Sequence, residues 1–450
     1  MDFIDKFREA LKIPTWWPPE AKDGDAEAEA PLLRFQGFLA DNFSAFHKAA
    51  QRHVLGPYSV IYRLPGTDGG SRAVLLIAHY DVVPAETEKW SVDPFGAEMK
   101  DSFIYGRGSL DMKNTLVSIL EAADNLCAQG WKPKRDIWFA FGGDEERTGI
   151  FGAMEMAKWF TGKGQKFEWI LDEGTPIAED QIKGIDTPLA LISVEEKGFL
   201  SLDLTAAQEP GHASRPPKVQ AAAVLARALC RLAKKPFPLK LNPTVETFFA
   251  YAAPLMPVVQ GFVMRHARAF GSLFFTLAGG NPATEAMLRT TVAMTQLEGS
   301  AADNVMPSQV RAVINLRLLW PQTVESAISF VKKAIGDERV RVGAHGLGTD
   351  PVPASGEFRR GAKKGQFPRG WQEIKFAMEE AWPGIPLLPF IMVATTDSRH
   401  YQQMTDNIFR FSPYKLDPKE LGGIHGHNER ISLENLNRGL AFYSGLLRSL

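Results

Sequence analysis

Short apolar runs recur through the first part of the chain, and each gives way abruptly to a polar cluster. They are AVLLIA (Ala73–Ala78), IWFAF (Ile137–Phe141), WIL (Trp169–Leu171) and LALISV (Leu189–Val194). Runs this short, unbroken by alternation, predict strands of a sheet covered on both faces. Between the first two lies TLVSILEAADNLCAQG, in which Leu116, Ile119, Leu120, Ala123, Leu126 and Cys127 share one helical face and Gly130 supplies the stop. Strand, helix, strand predicts right-handed crossovers and an α/β domain covered by helices, with a mostly parallel, mixed sheet.

The pattern changes at Phe199. A strand (FLSLDLTA), a helix (Val219–Lys234), a Pro- and Phe-rich excursion and the strands TTVAMTQLEG and QVRAVINLRLL follow, then a helix (Val324–Ile335) and a short strand (Arg339–Val342). That order predicts a small ferredoxin-like α+β domain inserted into the first. The α/β style returns after it, with a helix over Gly370–Ala381, the run LLPFIMVA and a C-terminal helix from Leu433. The expected division is 1–198 with 348–450, interrupted by 199–347. The acidic stretch DGDAEAEA, Asp23–Ala30, reads as a solvated linker, and PASGEFRRGAKKGQ, Pro353–Gln366, as a mobile loop.

Charge narrows the partners. Lysine and arginine number 51 against 52 acidic residues, a balance that gives no reason to expect nucleic acid or a membrane as partner. The most apolar later stretch, Tyr251–Leu277, is broken by Pro254, Pro257, Arg265, His266 and Arg268, so it fails as a membrane span. The amphipathic, charged N-terminus and two cysteines far apart, Cys127 and Cys230, read as a cytoplasmic protein.

The polar clusters carry the chemistry. Open α/β sheets bind ligands beyond the carboxyl ends of their strands. There lie His79 and Asp81, then Asp144, Glu145 and Glu146, then Asp172 and Glu173. Asp111 lies in YGRGSLDMKN and His425 in GGIHGHNE. Carboxylates converging on a water-poor crevice repel one another, and one or two divalent cations remove that conflict. Two histidines with carboxylates and no thiolate suit zinc, with cobalt or manganese as substitutes. Adjacent Glu145 and Glu146 can divide the labour, one binding metal and the other facing a metal-held water as general base.

HYDVVP, GRGSLDMK, GGDEE, LDEG and IHGHNE, in that order, resemble the signature blocks of the clan MH zinc metallopeptidases. The likeness is strongest to the carboxypeptidase S and Gly-Xaa carboxypeptidase branch, with its N-acyl-amino-acid hydrolase relatives and aminoacylase. The resemblance implies two zinc ions per subunit: His79 and Asp172 on one, Glu146 and His425 on the other, Asp111 bridging, and a cis peptide between Asp111 and Met112. It implies that Asp81 orients His79, that Glu145 is the general base, and that His212 of GHASRPP polarises the scissile carbonyl. Asn304, Arg317 and Arg399 are implied substrate contacts, the arginines gripping a carboxylate. The segment 199–347 becomes a lid that also forms a homodimer. From the residues alone, His212 is equally a turn residue and Arg317 equally half of a surface ion pair.

These readings converge on a hydrolase that releases an amino acid from a small peptide or an N-acyl amino acid. An N-fatty-acyl-amino-acid hydrolase/synthase or aminoacylase is the enzymatic alternative. A metal-binding regulatory protein without turnover is the alternative outside enzymes.

Overall fold

The computed structural model describes the chain from Met1 to Leu450 apart from residues 178, 180, 181, 183, 280, 281, 301 and 361–366, and the side chains of 282 and 283. It divides into two compact units: Met1–Val194 with Ser355–Phe390 and Thr396–Leu450, and Glu195–Ala354 with Ile391–Thr395.

The first unit is built on an eight-stranded sheet. Its spatial order is Gln51–Val54, Ser59–Leu64, Ile137–Gly142, Ala73–His79, Phe167–Ile177, Ile408–Lys415, Ala190–Glu196 and Leu387–Met392. Four neighbouring strands from Ile137–Gly142 to Ile408–Lys415 run parallel, and antiparallel partners flank them. Every residue of Ala73–His79 and of Ile137–Gly142 is buried, as unbroken apolar runs require. Leu75, Ile77, Trp138 and Ala140 pack with Met156, Ala157 and Phe160 of the helix Ala153–Gly162. The alternate residues point to the other face. The helices Lys113–Ala128, Arg369–Ala381 and Leu433–Arg448 pack side by side and against this sheet. Gly130, at φ +77°, follows the first of these in the left-handed conformation that closes many helices.

The second unit holds a four-stranded antiparallel sheet ordered Thr291–Glu298, Gln309–Leu318, Gly198–Ala207, Val340–Ala344. With the helices Ala221–Lys234 and Val324–Ile335 it has the βαββαβ order of a ferredoxin-like fold. One sheet face is apolar: Leu200, Leu202, Leu204, Ile314 and Leu316 meet Val224, Ala228, Leu232, Ala327 and Val331 of the two helices.

One expectation changes, and two further segments gain detail. Asp23–Ala30 is no linker: a helix runs from Ala26 to Asn42, and the Asp25 side chain accepts the N–H groups of Glu27 and Ala28. Its acidic residues sit where a helix N-terminus favours negative charge. The Pro- and Phe-rich excursion is helical, over Pro243–Ala252, Val258–Arg265, Ala267–Ala278 and Pro282–Leu288. Its prolines fall at first helical turns or between helices, where a missing N–H costs little. Of the expected loop Pro353–Gln366, residues 356–359 form a helical turn and 361–366 lie outside the described residues.

One glycine ties this fold to the polar clusters. Gly174 follows Asp172 and Glu173 where the register against Ile408–Lys415 slips, and its N–H donates to Ser412 Oγ at 3.2 Å. A Cβ there would overlap the backbone of Arg410. Gly174→Ala should therefore lower stability by about 1–3 kcal/mol, read from the urea midpoint, because the strands must part to admit the methyl group.

Candidate metal centre

The site is assembled from strand ends and the loops that leave them. His79 is the last residue of its strand, and Asp81 follows two residues on. Ile137–Gly142 runs into a 3-10 turn, Glu145–Arg147. Asp111 stands two residues before the helix that starts at Lys113, and the Asp111–Met112 peptide is cis. His425 sits in a loop close to the C-terminal helix at φ +58°, a left-handed conformation uncommon for a side chain larger than glycine.

Two groups of metal-binding side chains result: His79, Glu145 and Glu173, and Asp111, Glu146 and His425, each offering donor atoms within 4.8 Å of one another. Asp111 links the two. Its Oδ1 is 3.0 Å from His79 Nε2 and its Oδ2 is 3.1 Å from His425 Nε2. His425 Nε2 is also 3.0 Å from Glu146 Oε1.

Asp81 organises both walls. Its carboxylate lies 3.3 Å from His79 Nδ1 and accepts the backbone N–H groups of Glu145, at 3.1 Å, and Glu146, at 3.0 Å. One side chain thus fixes the ring of a candidate ligand and the turn that carries both glutamates, the usual task of an outer partner at a metal site.

Asp172 departs from expectation. It belongs to neither group: its Oδ1 accepts the Glu173 N–H at 2.8 Å and its Oδ2 the Ser398 N–H at 2.7 Å. The neighbouring Glu173 takes the place beside His79, with Oε1 3.6 Å from Nε2. Arg399 NH1 donates to Thr396 O at 3.1 Å and its NH2 to Thr148 O at 2.7 Å, so the guanidinium spans from its own turn to the end of the Glu145 turn.

Other expected contacts lie in the second unit. The short ladder that pairs His212 with Val305 brings Asn304 alongside, its carbonyl accepting the Ala213 N–H at 3.0 Å. His212 itself is exposed, with Nδ1 2.8 Å from Ser214 Oγ. Arg317 stacks on the Phe199 ring at 5.0 Å and makes no ion pair among the described residues.

Sequence reasoning missed Glu429. Fully buried, it accepts the N–H groups of Gly108, Leu110 and Asp111 and pairs with Arg107 at 2.6 Å. It therefore holds the Asp111 loop in place. Its position in the same IHGHNE block as His425 was the available signal.

The electrostatics follow from crowding. Burial, then the charge of Glu173, holds the Glu145 carboxyl well above its ordinary value. Burial and the Asp111 charge push Glu173 up to about 8. Glu146 is raised, mainly by burial. Burial works to lower the pKa of His79, but Glu173, Asp111 and Asp81 overcome it and raise that ring well above its usual range. Hydrogen bonds to Asp111 and Glu146 lift His425 to about 10. Asp111 alone moves the other way: burial opposes ionisation, but hydrogen bonds from the two histidines hold it below its ordinary value.

The donor set fits divalent metal. It is imidazole and carboxylate without thiolate, since Cys127 and Cys230 are free and belong to neither group. An α/β unit that gathers such donors at its strand ends is the framework of a metallohydrolase. The chain belongs to the Peptidase family M20/M25/M40, which it matches over residues 75–449. The Xenopus tropicalis protein named N-fatty-acyl-amino acid synthase/hydrolase PM20D1 is 33% identical over 450 residues, covering 99% of this chain and 85% of that relative. The Dictyostelium discoideum probable carboxypeptidase S-like 2 is 32% identical over 424 residues, covering 94% of this chain and 80% of the relative. In fold the chain is similar to the M20 family metallo-carboxypeptidase Sso-CP2 of Sulfolobus solfataricus, with TM-score 0.70 at 17% identity over 100% of this chain and 99% of that one.

A pH dependence follows for the metal-free protein. Glu145, Glu146, Glu173, His79 and His425 all have raised pKa values in the folded chain, so between about pH 5 and about pH 7 these groups hold more protons than in the unfolded chain; His400, lowered to about 4, and above about pH 7 the buried Lys113 and Lys197, each lowered to about 7, act in the opposite sense. The protein's stability is greatest at the acid end of that window and falls as pH rises. Asp111 acts in the opposite sense, but only below its ordinary value of 3.8. Melting the chelated protein across the window should show a falling midpoint. Adding a divalent cation, which displaces these protons, should flatten or reverse the trend.

Proposed function

We propose that this protein is a dinuclear zinc amidohydrolase that releases an amino acid from a small peptide or an N-acyl amino acid. The observation that carries the reading is Asp111 placed between two donor groups, one of which includes the half-buried Glu145, its carboxyl raised well above the ordinary value. The names of the relatives, one a synthase/hydrolase of N-fatty-acyl amino acids and one a probable carboxypeptidase S-like protein, support the substrate class.

In this reading His79 and Glu173 would hold one ion and Glu146 and His425 the other, with Asp111 within reach of both. Two zinc ions supply Lewis acidity and make water a nucleophile near neutral pH. The chain's own residues supply the rest. Glu145, its carboxyl raised by burial, accepts the proton of the attacking water and passes it to the departing amine nitrogen. The same carboxylate thus serves as base toward water and as acid toward the leaving amine. Asp81 fixes the His79 ring and the Glu145 turn. Arg399 braces the far end of that turn through Thr148 O. His212, Asn304 and Arg317 are assigned to the substrate.

Chelation should abolish hydrolysis of a panel of N-fatty-acyl, N-acetyl and unblocked dipeptide substrates, and zinc or cobalt should restore it. A zinc-loaded protein inert across the whole panel would remove the hydrolase reading. Glu145→Gln should keep its metal while turnover falls by about 10²–10⁴-fold, the usual worth of a general base. Metal loss in that variant would instead make Glu145 a ligand.

Glu173 and Asp172 are separable. Glu173→Gln should lower bound zinc measured by elemental analysis, whereas Asp172→Asn should retain it. The reverse pattern restores Asp172 as the ligand.

Arg399→Ala should lower kcat with little change in KM, the signature of a mispositioned base. A raised KM at constant kcat would return Arg399 to the substrate carboxylate.

A further inference from the structure

The helical excursion of the second unit shows apolar side chains where a water-facing surface needs polar ones. In Val258–Arg265, residues Val258, Val259 and Phe262 are 88%, 79% and 58% exposed, and in Ala267–Ala278, Leu273 and Leu277 are 45% and 40% exposed. The inner faces are apolar as well, with Val263, Met264, Ala267, Phe274 and Ala278 buried. An exposed surface with this much apolar area marks a docking site. The Phe262 and Phe270 rings lie 5.7 Å apart; beyond them the chain bends at Gly271, and Ser272 and Thr276 are exposed beside Leu273 and Leu277.

Charge identifies what covers it. Between Glu246 and Glu285 the chain has no aspartate or glutamate, while Arg265, His266 and Arg268 fall in the middle of that span. Arg268 pairs with Glu246 at the edge, and Arg265 has no ion pair among the described residues. An anionic lipid surface satisfies both features, because acyl chains accept apolar side chains without matched shape and phosphates accept guanidinium groups. Neither helix approaches the roughly 20 residues needed to cross a bilayer, so the patch lies on the surface rather than through it.

We propose that the excursion docks this protein on anionic membranes, with Val258, Val259, Phe262, Leu273 and Leu277 at the acyl–headgroup boundary and Arg265 among the phosphates. The inference is independent of the metal centre and runs against the membrane-free partner list read from net charge, which averages a local patch away.

The test uses the full chain and vesicles of equimolar phosphatidylcholine and phosphatidylserine, alongside phosphatidylcholine alone. The protein should sediment with the mixed vesicles, less so at high salt. The double variant Val258→Ser/Phe262→Ser should bind at least about tenfold more weakly while melting like the parent. Phe262→Trp, a milder change, should shift its fluorescence to the blue on the same vesicles. Absence of sedimentation, undiminished binding by the double variant, or equal and salt-independent binding to both vesicles would each overturn the proposal. So would a concentration-dependent dimer, by light scattering, that the double variant abolishes.

Discussion

Carboxyl groups crowd the carboxyl edge of the central sheet, and their repulsion in a poorly solvated space is the constraint to which the site answers. The chain neutralises some of them itself. Asp81 has two backbone N–H groups and the His79 ring. Asp172 has two backbone N–H groups and the nearby charge of Arg410. Glu429 has three backbone N–H groups and Arg107. Asp111, Glu145, Glu146 and Glu173 are left with two histidines between them. Asp397, buried beside them with neither carboxyl oxygen hydrogen-bonded among the described residues, adds to the crowding, and negative charge left unbalanced in this way favours a bound cation.

Much of the architecture was legible because apolar burial writes directly into sequence. Ala73–His79 and Ile137–Gly142 are unbroken apolar runs and became buried strands; Val324–Ile335 and the helix from Leu433 begin at the predicted residues. What failed was less direct. Ile408–Lys415 lies in the middle of the sheet yet carries Arg410 and Pro413, so hydropathy does not mark it. Arg410 is fully buried there because the carboxylates around it make a buried guanidinium tolerable, a fact no local window contains. Asp23–Ala30 looked solvated because it is acidic, and the same acidity is what starts a helix.

The site divides along the same line. The order of the signature blocks brought His79, Asp111, Glu146 and His425 into view before any coordinates, since each stands at a strand end or in a loop beside one. Asp172 and Glu173 are adjacent on a strand, and adjacent side chains leave opposite faces. Choosing between them requires knowing which face looks at His79, and that depends on the slipped register near Gly174, three-dimensional information with no counterpart in spacing. Arg399 illustrates a related point: an arginine that holds a backbone carbonyl and one that meets a substrate carboxylate are the same letter.

The geometry around Asp81 has a further consequence for how the site works. Because one carboxylate accepts the N–H groups of Glu145 and Glu146 while facing His79 Nδ1, Glu145, Glu146, His79 and their shared support Asp81 form one connected unit. At the other end of the turn Thr148, at φ +86°, is held by Arg399 through its carbonyl and by the Glu145 carbonyl through its N–H. A turn pinned at both ends cannot relax toward water when its carboxyls ionise. The cost of that rigidity falls on the metal-free protein as the raised pKa values already described, and the gain is a base that needs no reorganisation when charge develops beside it.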